Sequence, residues 1–241
     1  MKEHSEVTFR ILRFDPTMDH APAFQDYKLA VKGALTVLEG LFEILENQDG
    51  SLGMRYSCRS AVCGSCAMHI NGAYRLACET QIRHLNSRVI TIRPLAHLPI
   101  IKDLVVDMGP FFEKYKRIKP YLEASTSIPD KEFIQSPRKR KRLNEIIDCI
   151  LCGACYASCT MTLTDPEYLG PAALMKANRF VQDSRDEITR ERLAIVNDEN
   201  GVWRCHTIFN CQIACPKNLN PTHSIAQLKQ KVIINRLTGR L

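Results

Sequence analysis

Apolar and polar residues alternate from Val7 to Phe14 (VTFRILRF), the period of a half-buried β-strand. A shorter strand is predicted over Asp26 to Val31. Thr36, with Glu39 three residues on, forms a capping box that opens a helix through Leu45. Leu38, Leu41, Phe42 and Leu45 share one face of that helix. Two further apolar runs, Ala67 to Ile70 and Tyr74 to Cys78, flank Asn71-Gly72, a strong hairpin signal. Val89 to Ile92 supplies another strand. Leu104 to Ile118 reads as helical, with Gly109-Pro110 interrupting it.

The pattern then changes. Lys119 to Pro137 carries Pro120, Pro129 and Pro137 among Ser and Thr, a linker composition. From 138 onward strand signals vanish, while Pro171 to Val181 and Pro221 to Ile234 have helical periodicity with proline in the first turn. The expectation is an α+β chain of three segments. Residues 1–105 form strands around one helix, 106–137 a connecting helix and linker, and 138–241 a helical domain.

Of 241 residues, 45% are hydrophobic and 24% charged, enough apolar material for a real core. No stretch approaches the roughly 18 apolar residues of a membrane span, and no secretory apolar segment opens the chain. The formal charge is +7. The basic run Arg138-Lys139-Arg140-Lys141-Arg142 suits a solvated helix start, a nucleic-acid patch or contact with anionic headgroups.

Candidate chemistry lies in the cysteines. All eleven fall into three groups: Cys58, Cys63, Cys66 and Cys78; then Cys149, Cys152, Cys155 and Cys159; then Cys205, Cys211 and Cys215. The leading three thiols of the first group have plant-type ferredoxin spacing, which suits a [2Fe–2S] cluster. The second group is the bacterial ferredoxin run, whose fourth thiol serves the other cluster of a pair. The third group is the same run with Ile208 in place of its second thiol.

Seven thiols must then serve two clusters. Cys149, Cys152, Cys155 and Cys215 make a [4Fe–4S] set, leaving Cys159, Cys205 and Cys211 for a [3Fe–4S] cluster. A disulfide framework would favour an even count and an oxidising compartment, and zinc sites favour paired CxxC units or Cys with His. Each oxidised cluster with its thiolates carries formally about −2, so three clusters offset nearly all the basic excess. That balance weakens any nucleic-acid reading.

Gly53, Gly64 and Gly153 serve as turn residues and let backbone approach a cluster closely. Arg55 and Arg59 flank Cys58. Six of the seven histidines have no ligand spacing, whereas His206 follows the cluster thiol Cys205.

Along nearly its whole length the chain resembles the iron–sulfur subunit of succinate dehydrogenase and fumarate reductase. The resemblance rests on SCRSAVCGSC (57–66), PIIKDLVVDM (99–108), CILCGAC (149–155), GPAA (170–173), DSRD (183–186) and CPK (215–217). It implies a plant-type ferredoxin-like (β-grasp) domain followed by a bacterial-ferredoxin-like domain. It also implies partners: a flavoprotein subunit carrying FAD, membrane anchor subunits and a quinone, with no nucleic acid.

Electrons would pass from FAD through [2Fe–2S], [4Fe–4S] and [3Fe–4S] to quinone, with succinate oxidation favoured over the reverse, fumarate-reducing direction. The resemblance places the chain as a peripheral protein on the cytoplasmic face of a prokaryotic inner membrane. Some relatives carry Asp where Cys66 stands. His206 and Ile208 match the family's quinone pocket, and Lys229 a lysine near the last cluster. Thr160 and Thr164 depart from the family's usual Pro and Trp. A free ferredoxin-like carrier is the competing function. The chain alone has no glycine-rich dinucleotide fingerprint and is not expected to turn over succinate.

Overall fold

The computed structural model describes residues 6–31, 33–124, 130–239 and 241. Part of the proline-bearing linker, 125–129, lies outside the described residues. The chain divides into two compact units: Met1–Met108 with Ile150–Ala157, and Gly109–Cys149 with Ser158–Leu241.

The first unit is a mixed five-stranded sheet around one helix. Its strands are β1 (Glu6–Arg13), β2 (Ala23–Ala30), β3 (Ala67–Ile70), β4 (Ala73–Leu76) and β5 (Val89–Arg93), in the order β2-β1-β5-β3-β4. Only β1 and β5 run parallel, with Phe9 opposite Ile90. Alternation in β1 buries Val7, Phe9 and Ile11, as its pattern dictates.

The helix α1 (Val37–Asn47) carries the expected capping box. Glu39 N donates to Thr36 Oγ1 at 3.2 Å, and Thr36 N donates to Glu39 Oε2 at 2.7 Å. Its buried face, Val37, Leu38, Leu41 and Ile44, meets the sheet residues in one core. Asn71 has φ 45° and Gly72 φ 83°, the left-handed pair that a tight hairpin between β3 and β4 requires.

Two boundaries differ from expectation. The strand expected at 26–31 begins at Ala23, because β2 pairs with β1 along its whole length, from Glu6↔Ala30 to Arg13↔Ala23. The segment expected as helical from Leu104 instead forms the short hairpin β6 (Ile100–Lys102) and β7 (Val105–Val106). The helix α2 spans Gly109–Arg117. Gly109-Pro110 opens that helix rather than breaking it, since a first-turn proline costs no hydrogen bond.

The second unit is helical: α2, α3 (Pro137–Lys141), α4 (Asn144–Ile147), α6 (Thr160–Thr164), α7 (Gly170–Val181), α8 (Thr189–Val196), α9 (Asn210–Ile213) and α10 (Pro221–Leu237); α5 (Ala154–Ala157) belongs to the first unit. Its core joins α7, α8 and α10 through Leu174, Ala177, Phe180, Leu193, Ile225, Leu228 and Val232. The basic run 138–142 is exposed, as a solvated helix start would be.

Candidate cluster sites

In the first unit the 58–66 loop aims its backbone amides at its own sulfurs and at that of Cys78. Ser60 N, Val62 N and Cys63 N donate to Cys58 Sγ at 3.4, 3.4 and 3.3 Å, Cys58 N to Cys63 Sγ at 3.4 Å, and Ala61 N to Cys78 Sγ at 3.3 Å. The chain achieves this by entering the left-handed region at Arg59 (φ 56°), Ala61 (φ 56°) and Gly64 (φ 74°). Such alternation turns successive N–H groups inward, forming a concavity that suits anionic sulfur.

Hydrogen bonds from Ser65 lower the Cys63 thiol to about 6, whereas burial pushes Cys66 up to about 12. Iron would hold both as thiolates. Arg59 lies over two aromatic rings, 4.6 Å from the Phe42 centroid and 5.6 Å from that of Tyr56, which hold its guanidinium in place. Arg55 Nη1 donates to Val106 O at a long 3.5 Å.

Cys152 and Cys155 also belong to the first unit. Leu151 (φ 53°) and Gly153 (φ 82°) repeat the left-handed device around Cys152. A Cβ on Gly64 would stand 2.8 Å from Cys152 Cβ and 3.1 Å from Ile150 O. The glycine therefore serves close approach as well as the turn.

In the second unit Cys149 and Cys215 pack against Ile146, Met175 and Leu219, and Leu219 N donates to Cys215 Sγ at 3.4 Å. Cys159, Cys205 and Cys211 line one pocket of about 330 Å³ together with Thr160, Met161, Tyr168, His206 and Ile208. Tyr168 is buried, hydrogen-bonds Cys205, and has its phenol pKa raised by burial and then by the thiolates of Cys205, Cys159 and Cys211. Thr222 Oγ1 lies 3.3 Å from Cys211 Sγ. Thr207 (φ 58°) and Phe209 (φ 67°) again take left-handed backbone between the thiols.

Among the described residues, no group of three or more Cys, His, Asp or Glu converges as a single metal ion requires. Separated thiols ringed by amide donors fit polynuclear cores, whose irons share out the thiolates among them. The donor set therefore fits iron–sulfur clusters better than zinc.

The structure places His206, Ile208 and Thr160 on the same pocket. Lys229 is not in that lining; its Nζ donates to Cys205 O at 2.8 Å and braces the loop. Thr164 accepts from Arg204 at 3.4 Å, and Arg204 Nε pairs with Asp165 at 3.1 Å. Trp203 Nε1 bonds Asn197 Oδ1 at 2.9 Å. Sequence reasoning missed Tyr168 and Thr222 because neither has a motif signature. It also missed the left-handed residues, because Arg, Ala, Leu, Thr and Phe do not favour that backbone.

Residues 8–113 match the model of a 2Fe-2S iron-sulfur cluster binding domain, and residues 145–219 that of a 4Fe-4S dicluster domain. The chain is 42% identical to the succinate dehydrogenase iron-sulfur subunit of Coxiella burnetii, covering 97% of this chain and 100% of that one. It is 47% identical to the mitochondrial succinate dehydrogenase [ubiquinone] iron-sulfur subunit 1 of Oryza sativa, covering 92% and 81%. A chain of the Mycobacterium smegmatis Sdh1 complex in its apo form superposes with a TM-score of 0.87 at 26% identity, covering 96% and 97%. The chain belongs to the family of succinate dehydrogenase iron–sulfur subunits, and it is an electron-transfer subunit carrying 2Fe–2S and 4Fe–4S centres.

Proposed function

We propose that electrons cross this chain from a flavoprotein's FAD to a membrane quinone. The ligand sets are Cys58, Cys63, Cys66 and Cys78 for [2Fe–2S], Cys149, Cys152, Cys155 and Cys215 for [4Fe–4S], and Cys159, Cys205 and Cys211 for [3Fe–4S]. The clusters supply one-electron carriers when bound. The protein's part is to hold thiolates, donate amide hydrogen bonds to sulfur and exclude water.

The observation that carries the quinone end is the pocket shared by Cys159, Cys205, Cys211, Thr160, His206 and Ile208. Ile208 and Phe209 present apolar surface that suits a quinone ring, and the exposed His206 imidazole is placed to donate or accept a proton at a quinone oxygen. Lys229 acts indirectly, by fixing the Cys205 carbonyl.

No helix among the described residues is long and apolar enough to cross a membrane, so quinone access calls for anchor subunits. We place the chain peripherally on the cytoplasmic face of a prokaryotic inner membrane, a reading supported by the end-to-end match to a bacterial relative. Succinate oxidation is the favoured direction. We propose the segments 1–105, 106–137 and 138–241 as the domains in sequence, with Ile150–Ala157 packing in the first compact unit.

His206→Ala in the purified complex tests the quinone end. Quinone reduction should fall about tenfold or more, within the range of a lost acid–base group. Succinate oxidation with an artificial acceptor at the flavin should be unchanged. Equal loss of both activities would place His206 in assembly instead.

A further inference from the structure

The pocket of Cys159, Cys205 and Cys211 holds two buried hydroxyls that the proposed electron path leaves without a role, those of Tyr168 and Thr222. Tyr168 is 1% exposed and Thr222 6%, and both belong to the second unit with the three thiols.

Tyr168 lies just before α7. Its own amide donates to Asp165 O at 3.2 Å, and that of Leu169 to Asn200 O at 2.9 Å, which fixes the segment. The ring is packed in the core of α7, α8 and α10, against which Cys159 and Cys205 also pack. A buried phenol normally finds a hydrogen-bond partner, and here the partner is the side chain of Cys205. Thr222 stands in the first turn of α10, after Pro221, with its Oγ1 3.3 Å from Cys211 Sγ.

The direction of both bonds follows from the charge on sulfur. A thiolate carries no proton and only accepts, so each hydroxyl donates its one hydrogen. Burial, then the neighbouring thiolates, raise the Tyr168 phenol above its ordinary range, so it keeps that hydrogen. Cys159 is served differently, by the backbone amides of Met161 and Thr162. Only at Cys205 and Cys211 can a side-chain change remove a donor.

One-electron reduction adds negative charge that the sulfurs share. A donor aimed at sulfur therefore stabilises the reduced state more than the oxidised one. We propose that the hydroxyls of Tyr168 and Thr222 set the potential of the [3Fe–4S] site, raising it so that the site beside the quinone pocket accepts an electron more readily. The inference rests on the reading of Cys159, Cys205 and Cys211 as the three-iron ligands, and adds to it two side chains from outside every cysteine motif.

An EPR-monitored redox titration of the purified complex reads the midpoint of the three-iron signal independently of turnover. Tyr168→Phe keeps the ring and removes only the hydroxyl. At a fixed potential it should shift the reduced-to-oxidised ratio about tenfold toward the oxidised form, a midpoint about 59 mV lower for one electron. Thr222→Val should shift the ratio about threefold in the same direction, and the double variant by about the product, because the donors serve different sulfurs. Thr222→Ser, which restores a hydroxyl, should stay within about twofold of wild type. The [2Fe–2S] midpoint in the same samples should not move. If Tyr168→Phe loses the three-iron signal altogether, the Thr222 pair decides the matter. The proposal is overturned if Tyr168→Phe and Thr222→Val leave the three-iron midpoint unchanged, if Thr222→Ser shifts it as far as Thr222→Val, or if both centres shift together. A wild-type complex without any three-iron signal would instead overturn the ligand reading, and this inference with it.

Discussion

Ile208 stands at the slot where a complete ferredoxin run has its second cysteine, and it lines the pocket of Cys159, Cys205 and Cys211. Its side chain offers nothing to hold a fourth iron. Ile208→Cys should therefore permit a [4Fe–4S] cluster there, abolish the three-iron EPR signal of the oxidised protein and slow electron delivery to quinone. If the variant folds and that signal persists under iron-replete conditions, iron is being excluded by pocket shape rather than by a missing ligand.

Gly64 makes a complementary case in the first unit. Alanine there would meet Cys152 Cβ at 2.8 Å and also hold φ 74°. Left-handed strain and overpacking together cost about 2–4 kcal/mol. Gly64→Ala should lower the melting temperature and the yield of the [2Fe–2S] spectrum, whereas Gly72→Ala, with open space around it, should incur only the backbone strain.

At the level of elements, much was legible because local chemistry agreed with tertiary need. Thr36 and Glu39 announced α1, and Asn71-Gly72 announced the β3–β4 hairpin. Gly109-Pro110 misled because a proline reads equally as a break or as a first turn, and only packing decides. The helix α8 was unreadable because its organising residue is a charge. Arg192 is fully buried; its guanidinium pairs with Asp186 at 2.6 and 3.0 Å and donates to the carbonyls of Ile118 (2.8 Å), Lys119 and Tyr121 (2.7 Å).

The DSRD segment at 183–186, outside every ligand set, thus has a structural reason: it ties the end of α2 to α8. Removing one partner of a buried, hydrogen-bonded pair costs about 3–5 kcal/mol. Arg192→Met should lower the unfolding free energy of the second unit by that amount, read in the fluorescence of Trp203, the single tryptophan. A shift under about 1 kcal/mol would mean that water or a relaxed backbone replaces the guanidinium.

For the whole molecule, the cysteine spacing made the cluster types legible, but it gave no sign that Ile150–Ala157 folds with the first unit. That segment packs through Gly153, where a Cβ would stand 3.2 Å from both Leu95 Cδ1 and Met108 Cε, and through Tyr74 Oη, which donates to Ala157 O at 2.9 Å. The four thiols Cys58, Cys63, Cys66 and Cys78, with their amide donors, lie wholly within 1–108. A fragment of residues 1–108 should therefore fold and show a [2Fe–2S] spectrum after reconstitution. It should also melt below the same centre in the full chain, because Leu95, Met108 and Tyr74 lose the cover of 150–157. Restoring 150–157 through a short Gly/Ser linker should recover part of that loss. A folded fragment that never takes up a cluster would show the ligand set to be wrong. Melting unchanged by the linked segment would show that 150–157 rests on the sheet without stabilising it.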